Sequence, residues 1–486
     1  MYACSSLTGD TVIRRAVCLC HRPELHSLTR RINAELTRRG FVAGMAASVA
    51  SVAALGFPLK AKAQTPEQPK STLFTNVRIF DGRSAQLRDG HLLVEGNRIK
   101  SIGAGTPATP AGAQLIDCKG RVMMPGLIDA HWHSLFAALP LPVLLQGNIG
   151  YIHLAGSAEA ERTLLRGFTT VRDLGGPTFA FKQAIDEGLI AGPRIYPCGA
   201  MITGSGGHGD LRPLSDVPRT PGVPSFTERT GAAAIVDGPD EIRLRVREQL
   251  TQGASQVKIV GGGGVSSPRT PLDLTTLSEA EVRAAAEVAR DWNTYITVHA
   301  YASNTVQRAI NAGAGCVEHA HLMDDATARL MADKGVWLST QPFLSDEDTG
   351  RLTGQGAISA QQVFGATDGL YKLAKKYKIK TAFGSDMLFS PALAQRQGIM
   401  LTHLTRWFSN SEILTMATST NAQLMALSGP RNPYPGKLGV LEEGAYADLL
   451  LVDGNPLDNI ALLATPDTSL MIVMKDGKIH KNTLKA

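Results

Sequence analysis

Short apolar runs broken by polar turn residues begin at Leu73, as "LFTNVRIFDG" and then "HLLVEGNRIKSIG". The same texture returns at Tyr446–Leu457, "YADLLLVDGNPL", and at Ser469–Asn482, "SLMIVMKDGKIHKN". Alternation of this kind predicts strands joined by tight turns. Neither group is large enough to hold a sheet alone, so the pattern predicts one small β-sandwich made by both ends of the chain, residues 71–124 and 431–486. Between them, eight apolar runs alternate with helix-like segments. The runs are "GLIDAHWH" (Gly126–His133), Gly167–Gly176, Arg194–Thr203, Ser255–Gly261, Thr294–Tyr301, Gly315–His321, Gly335–Gln341 and Lys380–Asp386. The clearest helical segment is Leu277–Trp292, where Ser278 and Glu281 have capping-box spacing. Eight β/α repeats over residues 125–430 predict an α/β protein with a (β/α)8 TIM barrel. The Pro-rich, aperiodic stretch Arg212–Phe226 reads as a long loop after strand three, placed as a lid.

Composition changes this picture little, except at the start. The chain has 486 residues, 43% apolar and 19% charged, with a net charge of +6. Residues 1–63 hold nine Lys/Arg against three Asp/Glu, which accounts for the whole excess. The remainder is balanced, so nothing asks for nucleic acid or an anionic membrane. Paired Arg38 and Arg39, then Phe41, an Ala/Ser/Val-rich stretch and "AKAQ" resemble a twin-arginine signal cleaved after Ala63. The expectation is an exported protein, periplasmic or secreted, without stable membrane anchoring. The n-region is long, so the true start lies open. Cys118, Cys198 and Cys316 remain after the leader, widely spaced and odd in number. That is neither a disulfide framework nor a zinc cluster.

The candidate chemistry lies at the ends of the predicted strands. Residues i and i+2 of a strand share a face, so His131 and His133 offer two imidazoles to one point. Strand four adds Lys258, strand five His299, strand six His319 and strand eight Asp386. In a TIM barrel such groups converge on one mouth. Imidazole and carboxylate are ligands for Zn²⁺ and similar ions. Tyr301 shares the face of His299 and is placed to hold a substrate carboxylate. The run Gly261–Gly264 lacks the ending of a phosphate-binding loop and reads as backbone making room beside the metals. His321 is expected in packing behind the ligands, Arg172 is expected to pair with Asp173, and His153 and His403 have no assigned partner.

With "PGLIDAHWH", "VEHAH" and "FGSD" in this order, the chain resembles the amidohydrolase superfamily from about Leu73 to Asn482. "GFTTVRD" and the "GGHG" of Gly206–Gly209 resemble its imidazolonepropionase-like and Xaa-Pro dipeptidase-like branch. Lys258 in "VKIVGGGG" favours the dipeptidase-like side, and the chain also resembles exported bacterial amidohydrolases that degrade ochratoxin A. The resemblance implies two divalent ions, usually zinc. His131, His133 and Asp386 would hold the first, His299 and His319 the second, and Lys258 would bridge them as a carbamate made with carbon dioxide. It further implies that Asp386 shuttles the proton, that His208 donates to the carbonyl oxygen, and that the chain forms a homo-oligomer, up to an octamer. The expected partner is a small-molecule amide: an N-acyl amino acid or dipeptide, with ochratoxin A cleaved to ochratoxin alpha and phenylalanine. A lactonase or aryl-esterase on the same metal scaffold is the alternative. Metal identity and physiological substrate stay open.

Overall fold

The computed structural model describes residues 71–484 apart from Thr106, Arg219, Pro221 and Pro268. The leader with its expected export signal lies outside the described residues. Among the described residues no helix is long and apolar enough to cross a membrane.

Five strands come first: β1 (Ser71–Ile79), β2 (Arg88–Glu95), β3 (Arg98–Gly103), β4 (Gln114–Asp117) and β5 (Val122–Pro125). Ten parallel-paired strands follow: β6 (Leu127–Trp132), β7 (Phe168–Asp173), β8 (Arg194–Pro197), β9 (Met201–Gly204), β10 (Ala233–Val236), β11 (Val257–Val260), β12 (Ile296–Ala302), β13 (Cys316–Leu322), β14 (Trp337–Thr340) and β15 (Thr381–Phe383). The chain closes with β16 (Leu449–Val452), β17 (Leu470–Lys475) and β18 (Lys478–Asn482).

Both ends of the chain meet in one eight-stranded sheet, ordered β18-β17-β16-β5-β1-β2-β3 with β4 also on β1. The sheet forks at β1. Its first half, Thr72–Thr75, pairs with β4, and after a bulge Arg78–Ile79 pairs with β5. The fork folds the sheet around Phe74, Leu92, Ile99, Met123, Leu449 and Met474. The C-terminal strands start at Leu449, well after 431; the intervening residues are loop up to the "LLLV" run, which is buried on both faces.

The parallel strands form two arcs, β6-β7-β8 and β10-β9-β11-β12-β13-β14-β15. They are buried on both faces, as strands covered by helices must be. A continuous eight-stranded ladder was expected; the ladder has two breaks. One is spanned by a bent strand. The predicted third strand, Arg194–Thr203, divides into β8, which pairs with β7, and β9, which pairs with β11. Gly199 makes the bend at φ +74°, where an added Cβ would stand 2.3 Å from Gln249 Oε1 and 2.6 Å from the Phe179 ring. β10, a short Ala-rich edge strand on β9, was not foreseen. The other break, between β6 and β15, has no ladder; at the strand ends Asp386 N–H donates to His131 O at 2.8 Å, and a side chain spans the rest. The Asn421 amide donates to the carbonyls of Ile128 (2.7 Å) and Phe383 (2.8 Å) and accepts from Phe383 N–H (3.0 Å).

The helix expected over Leu277–Trp292 runs Glu279–Asp291 with the full Ser278/Glu281 capping box, and it buries Val282, Ala285, Val288 and Ala289. Among its described residues, the Arg212–Phe226 stretch has a short turn at Leu214–Asp216 and ends where the helix Phe226–Arg229 begins.

Candidate metal centre

The strands deliver their polar residues to one place. His131 lies near the end of β6 and His133 just past it; β11 carries Lys258, β12 His299 and β13 His319, and Asp386 follows β15. The Nε2 atoms of His131 and His133 stand 3.2 and 3.3 Å from Asp386 Oδ1. Lys258 Nζ is 3.3 Å from His131 Nε2. The His319 ring lies 4.4 Å from that of His299 and 4.9 Å from that of His131. Donors about 2.0–2.2 Å from a tetrahedral ion sit about 3.3–3.6 Å apart. The spacing of His131, His133 and Asp386, whose ligand atoms all lie within 4.8 Å of one another, suits one divalent ion.

Hydrogen bonding holds one nitrogen of each histidine and turns the other into the site. A carbonyl or carboxylate oxygen can only accept, so the imidazole nitrogen facing it carries the proton. His131 Nδ1 faces Glu318 Oε2 at 2.8 Å, and His133 Nδ1 faces Gly175 O at 3.4 Å. His299 Nε2 faces Gly263 O at 2.9 Å, and His319 Nδ1 faces Gln341 Oε1 at 2.7 Å. The other nitrogen of each ring turns into the site; those of His131 and His133 face Asp386 Oδ1 at the separation expected of co-ligands on one ion, and the Nδ1 or Nε2 partner sets each ring's orientation. Burial pushes His131, His299 and His319 well below the ordinary imidazole range, so these rings are neutral at pH 7. Burial also lowers the Lys258 ammonium, which favours the free amine.

Backbone geometry makes the convergence possible. An added Cβ at Gly384 would stand 2.4 Å from His131 Cβ and 2.8 Å from its backbone nitrogen. Glycine there lets β15 approach β6 and brings Asp386 to the histidines. His319 and Ala320 have φ of +74° and +54°. This twist breaks the strand alternation, so consecutive Glu318 and His319 both serve the site.

Glu318 was not foreseen, because strict alternation puts it on the far face from His319. It accepts from Thr297 and from Arg172 Nη2 (2.5 Å) while holding His131. Arg172 therefore pairs with Glu318, not with Asp173 as expected. Neighbours on a strand point to opposite faces, and Asp173 instead accepts from Ser134 N–H at 2.7 Å and Gly175 N–H at 3.2 Å. Burial alone would raise the Glu318 carboxyl, but Arg172 and then Lys258 outweigh it and hold it below the ordinary range. Gln341 was also missed; nothing in its local pattern distinguishes it.

His208 stacks on His299 at 4.6 Å, with Nδ1 3.5 Å from Thr270 Oγ1. An added Cβ at Gly264 would fall 2.4 Å from the His208 ring, so the glycine run makes room for it, and Gly263 supplies the carbonyl to His299. Tyr301 stacks on His319 at 4.7 Å. His321 donates to Gln341 O at 3.0 Å and stacks on Phe343. His153 and His403 sit apart, bonded to Ile149 O and Pro342 O. A chamber of about 40 Å³ lies among His131, His133, Lys258, His319 and Asp386. It shares His208, His299 and Asp386 with a cavity of about 600 Å³ walled by Tyr301, Phe343, Leu352, Phe389 and Arg351.

The buried imidazoles carry a consequence for stability. Burial pushes His321 down to about 4 and His208 to about 3. In the unfolded chain both titrate near about 6.5. Between those values the unfolded chain binds more protons, so stability is fully present above about 6.5 and falls as pH drops through the window. The metal-free protein is expected to unfold at lower urea concentration at pH 5 than at pH 7.5. Equal midpoints would contradict this.

Comparison with known proteins agrees with the geometry. The amidohydrolase family profile matches residues 122–480. The ochratoxinase of Aspergillus niger is 27% identical over 431 residues, covering 85% of this chain and 88% of that protein. A prolidase crystallised with N-methylphosphonate-L-proline is 32% identical, with a TM-score of 0.78 over 85% of this chain and 100% of that one. A Xaa-Pro dipeptidase with bound methionine is 26% identical, with a TM-score of 0.71 over 85% of this chain and 100% of that one. With a family match spanning most of its length and imidazole, lysine and carboxylate groups gathered at the strand ends, the chain is a hydrolase and belongs to the amidohydrolase family.

Proposed function

We propose that the protein is a binuclear-metal amidohydrolase that releases the C-terminal amino acid from N-acyl amino acids or dipeptides, ochratoxin A among them. The observation that carries this is the set of four histidines. Each has one nitrogen committed to an oxygen acceptor and the other turned toward a shared centre, around Lys258 and Asp386. In this reading the two arcs and the bent strand make one barrel of eight, capped by the forked sheet as a small sandwich. His131, His133 and Asp386 would hold one ion, His299 and His319 the other, and Lys258 both as its carbamate. Bound there, such ions polarise the scissile carbonyl and make water a nucleophile near neutral pH.

The chain's own groups do the rest. Asp386 takes the proton of the attacking water and delivers it to the leaving amine. His208, beside His299, donates to the oxygen on which charge develops. Tyr301 has its hydroxyl kept protonated by burial and serves as a donor to the substrate carboxylate. Burial of Lys258 against His131 outweighs the pull of the Glu318 and Asp386 carboxylates and disfavours its ammonium form, which favours its use as the carbamate.

Charge in the cavity points to an acidic substrate. Arg396 is paired with Asp348 at 2.9 Å, whereas Arg351 is exposed in the cavity wall and makes no ion pair among the described residues. A hydrogen bond to a charged group is worth about 1.5–3 kcal/mol. Arg351→Ala should therefore raise KM for a free-carboxylate substrate by roughly tenfold or more, with little change for the same substrate as its methyl ester. The test is a panel for the metal-replete protein: N-acyl-phenylalanines, Xaa-Pro dipeptides, ochratoxin A and a lactone. Release of free amino acid supports the proposal. Silence on every amide with turnover of the lactone overturns it in favour of a lactonase on the same scaffold.

A further inference from the structure

The first metal position takes His131 and His133 from β6 and Asp386 from beyond β15, two neighbouring strands with no ladder between them. A backbone hydrogen bond from Asp386 N–H to His131 O, 2.8 Å, joins the two ends, and Asp129 stands beside it across the break. Its Oδ1 accepts from the backbone N–H groups of His131 and of Ser385, each at 3.0 Å. Its Oδ2 accepts from the Ser385 hydroxyl at 2.5 Å and from Gln397 Nε2 at 2.8 Å. The Gln397 carbonyl in turn accepts from Arg166 Nε at 3.2 Å, and Arg166 Nη2 donates to Glu159 at 2.7 Å. Every one of these side chains is buried. A carboxylate with four donors on it fixes the separation of the groups that donate. Three of those donors, one from His131 and two from Ser385, belong to a metal ligand and to the residue preceding another.

We propose that Asp129 is a positioning residue that sets the spacing between His131 and Asp386 required by the first ion, and that Gln397, held by Arg166, fixes its orientation. This rests on the metal-dependent reading above. It touches neither substrate nor ion, and acts through the two strand ends.

The test uses donor–acceptor matching. Asp129→Asn sets a new N–H donor against the Gln397 Nε2 donor and takes from the Ser385 hydroxyl the acceptor it now donates to. Gln397→Glu sets one carboxylate against another. Together, D129N and Q397E restore a match: the introduced amide donates to the introduced carboxylate, Arg166 keeps its acceptor, and net charge is unchanged. The probe is Zn²⁺ itself, titrated into the full chain stripped of metal in competition with a chelator. Thermal unfolding of the metal-free forms is followed alongside. Each single variant is expected to weaken zinc binding by about tenfold or more and to lower kcat with KM unchanged, while the double variant recovers both. Single variants that bind zinc as the parent does, or a double variant as weak as the singles, would overturn the inference. If D129N does not fold, Q397E and the double variant carry the same comparison. His131→Ala separates the two readings. A parent chain that binds zinc no better than H131A removes the metal centre itself, whereas a tight parent matched by D129N removes only the role of Asp129.

Discussion

Lys258→Ala is expected to leave a folded protein that binds fewer metal ions and hydrolyses almost no amide. The side chain occupies the middle of the site, 3.3 Å from His131 Nε2, and is buried. Truncation removes a buried amine whose charged form burial disfavours, so its effect on stability is small or favourable. Its effect on the metals is not. As the carbamate it is the one residue proposed to touch both ions, and losing it releases at least one of them. With each 1.36 kcal/mol of the barrier worth tenfold, a loss of several kcal/mol of metal-assisted stabilisation lowers kcat by about a thousandfold or more. Metal analysis of dialysed protein should fall from two ions per chain to one or none. Short carboxylic acids fit the vacated space and supply the missing oxygen pair, so they should restore part of the activity. A variant with full metal content and activity within a few-fold of the parent would refute the bridging role.

Glu318→Ala should do the reverse, damaging the fold and the site together. Arg172 and Glu318 are fully buried and 2.5 Å apart. Removing one partner of such a pair costs about 3–5 kcal/mol, because the other charge is left without its counterion. A domain of this size then loses roughly 3–6 °C in Tm. Arg172 keeps bonds to Ala130 O and the Tyr295 hydroxyl, which moderates the loss without replacing the charge. Glu318 also orients His131 through Nδ1, and such supporting partners are worth about 10–100-fold in metal affinity. The two effects separate in Arg172→Met with Glu318→Leu. Apolar side chains of similar volume recover most of the stability, whereas zinc affinity stays low because His131 remains unheld. Full recovery of zinc binding in that double variant would show that Glu318 serves stability alone.

Much of the site was legible because its chemistry repeats a spacing that strands impose. His131 and His133 are two apart at a strand end, and Lys258, His299, His319 and Asp386 each sit in a short apolar run. A residue type that is costly to bury, placed inside an apolar run, is a signal that one sequence carries. Glu318 failed that test because its place depends on positive φ at His319 and Ala320, which no composition rule predicts. Asp129, Gln397, Gln341 and Asn421 escaped for another reason. Each is a common polar residue, and its role exists only in partners up to 293 positions away along the chain.

The same division holds for the fold. The apolar periodicity by itself determined that strands alternate with helices and that both chain ends supply strands, because period-two and helical patterns are local and energetically expensive to violate. The helix cap at Ser278 was decided locally too, since its donors and acceptors lie within one turn. Tertiary structure alone decided where the parallel ladder breaks, that Arg194–Thr203 bends at Gly199 to pair with different neighbours on its two halves, and that the remaining break is bridged by Asn421 and Asp129. Those outcomes depend on which backbone groups lack a partner once the strands have curved around a shared interior. A buried N–H or carbonyl must then take whatever side chain the rest of the fold brings to it, and that identity is written in distant parts of the chain.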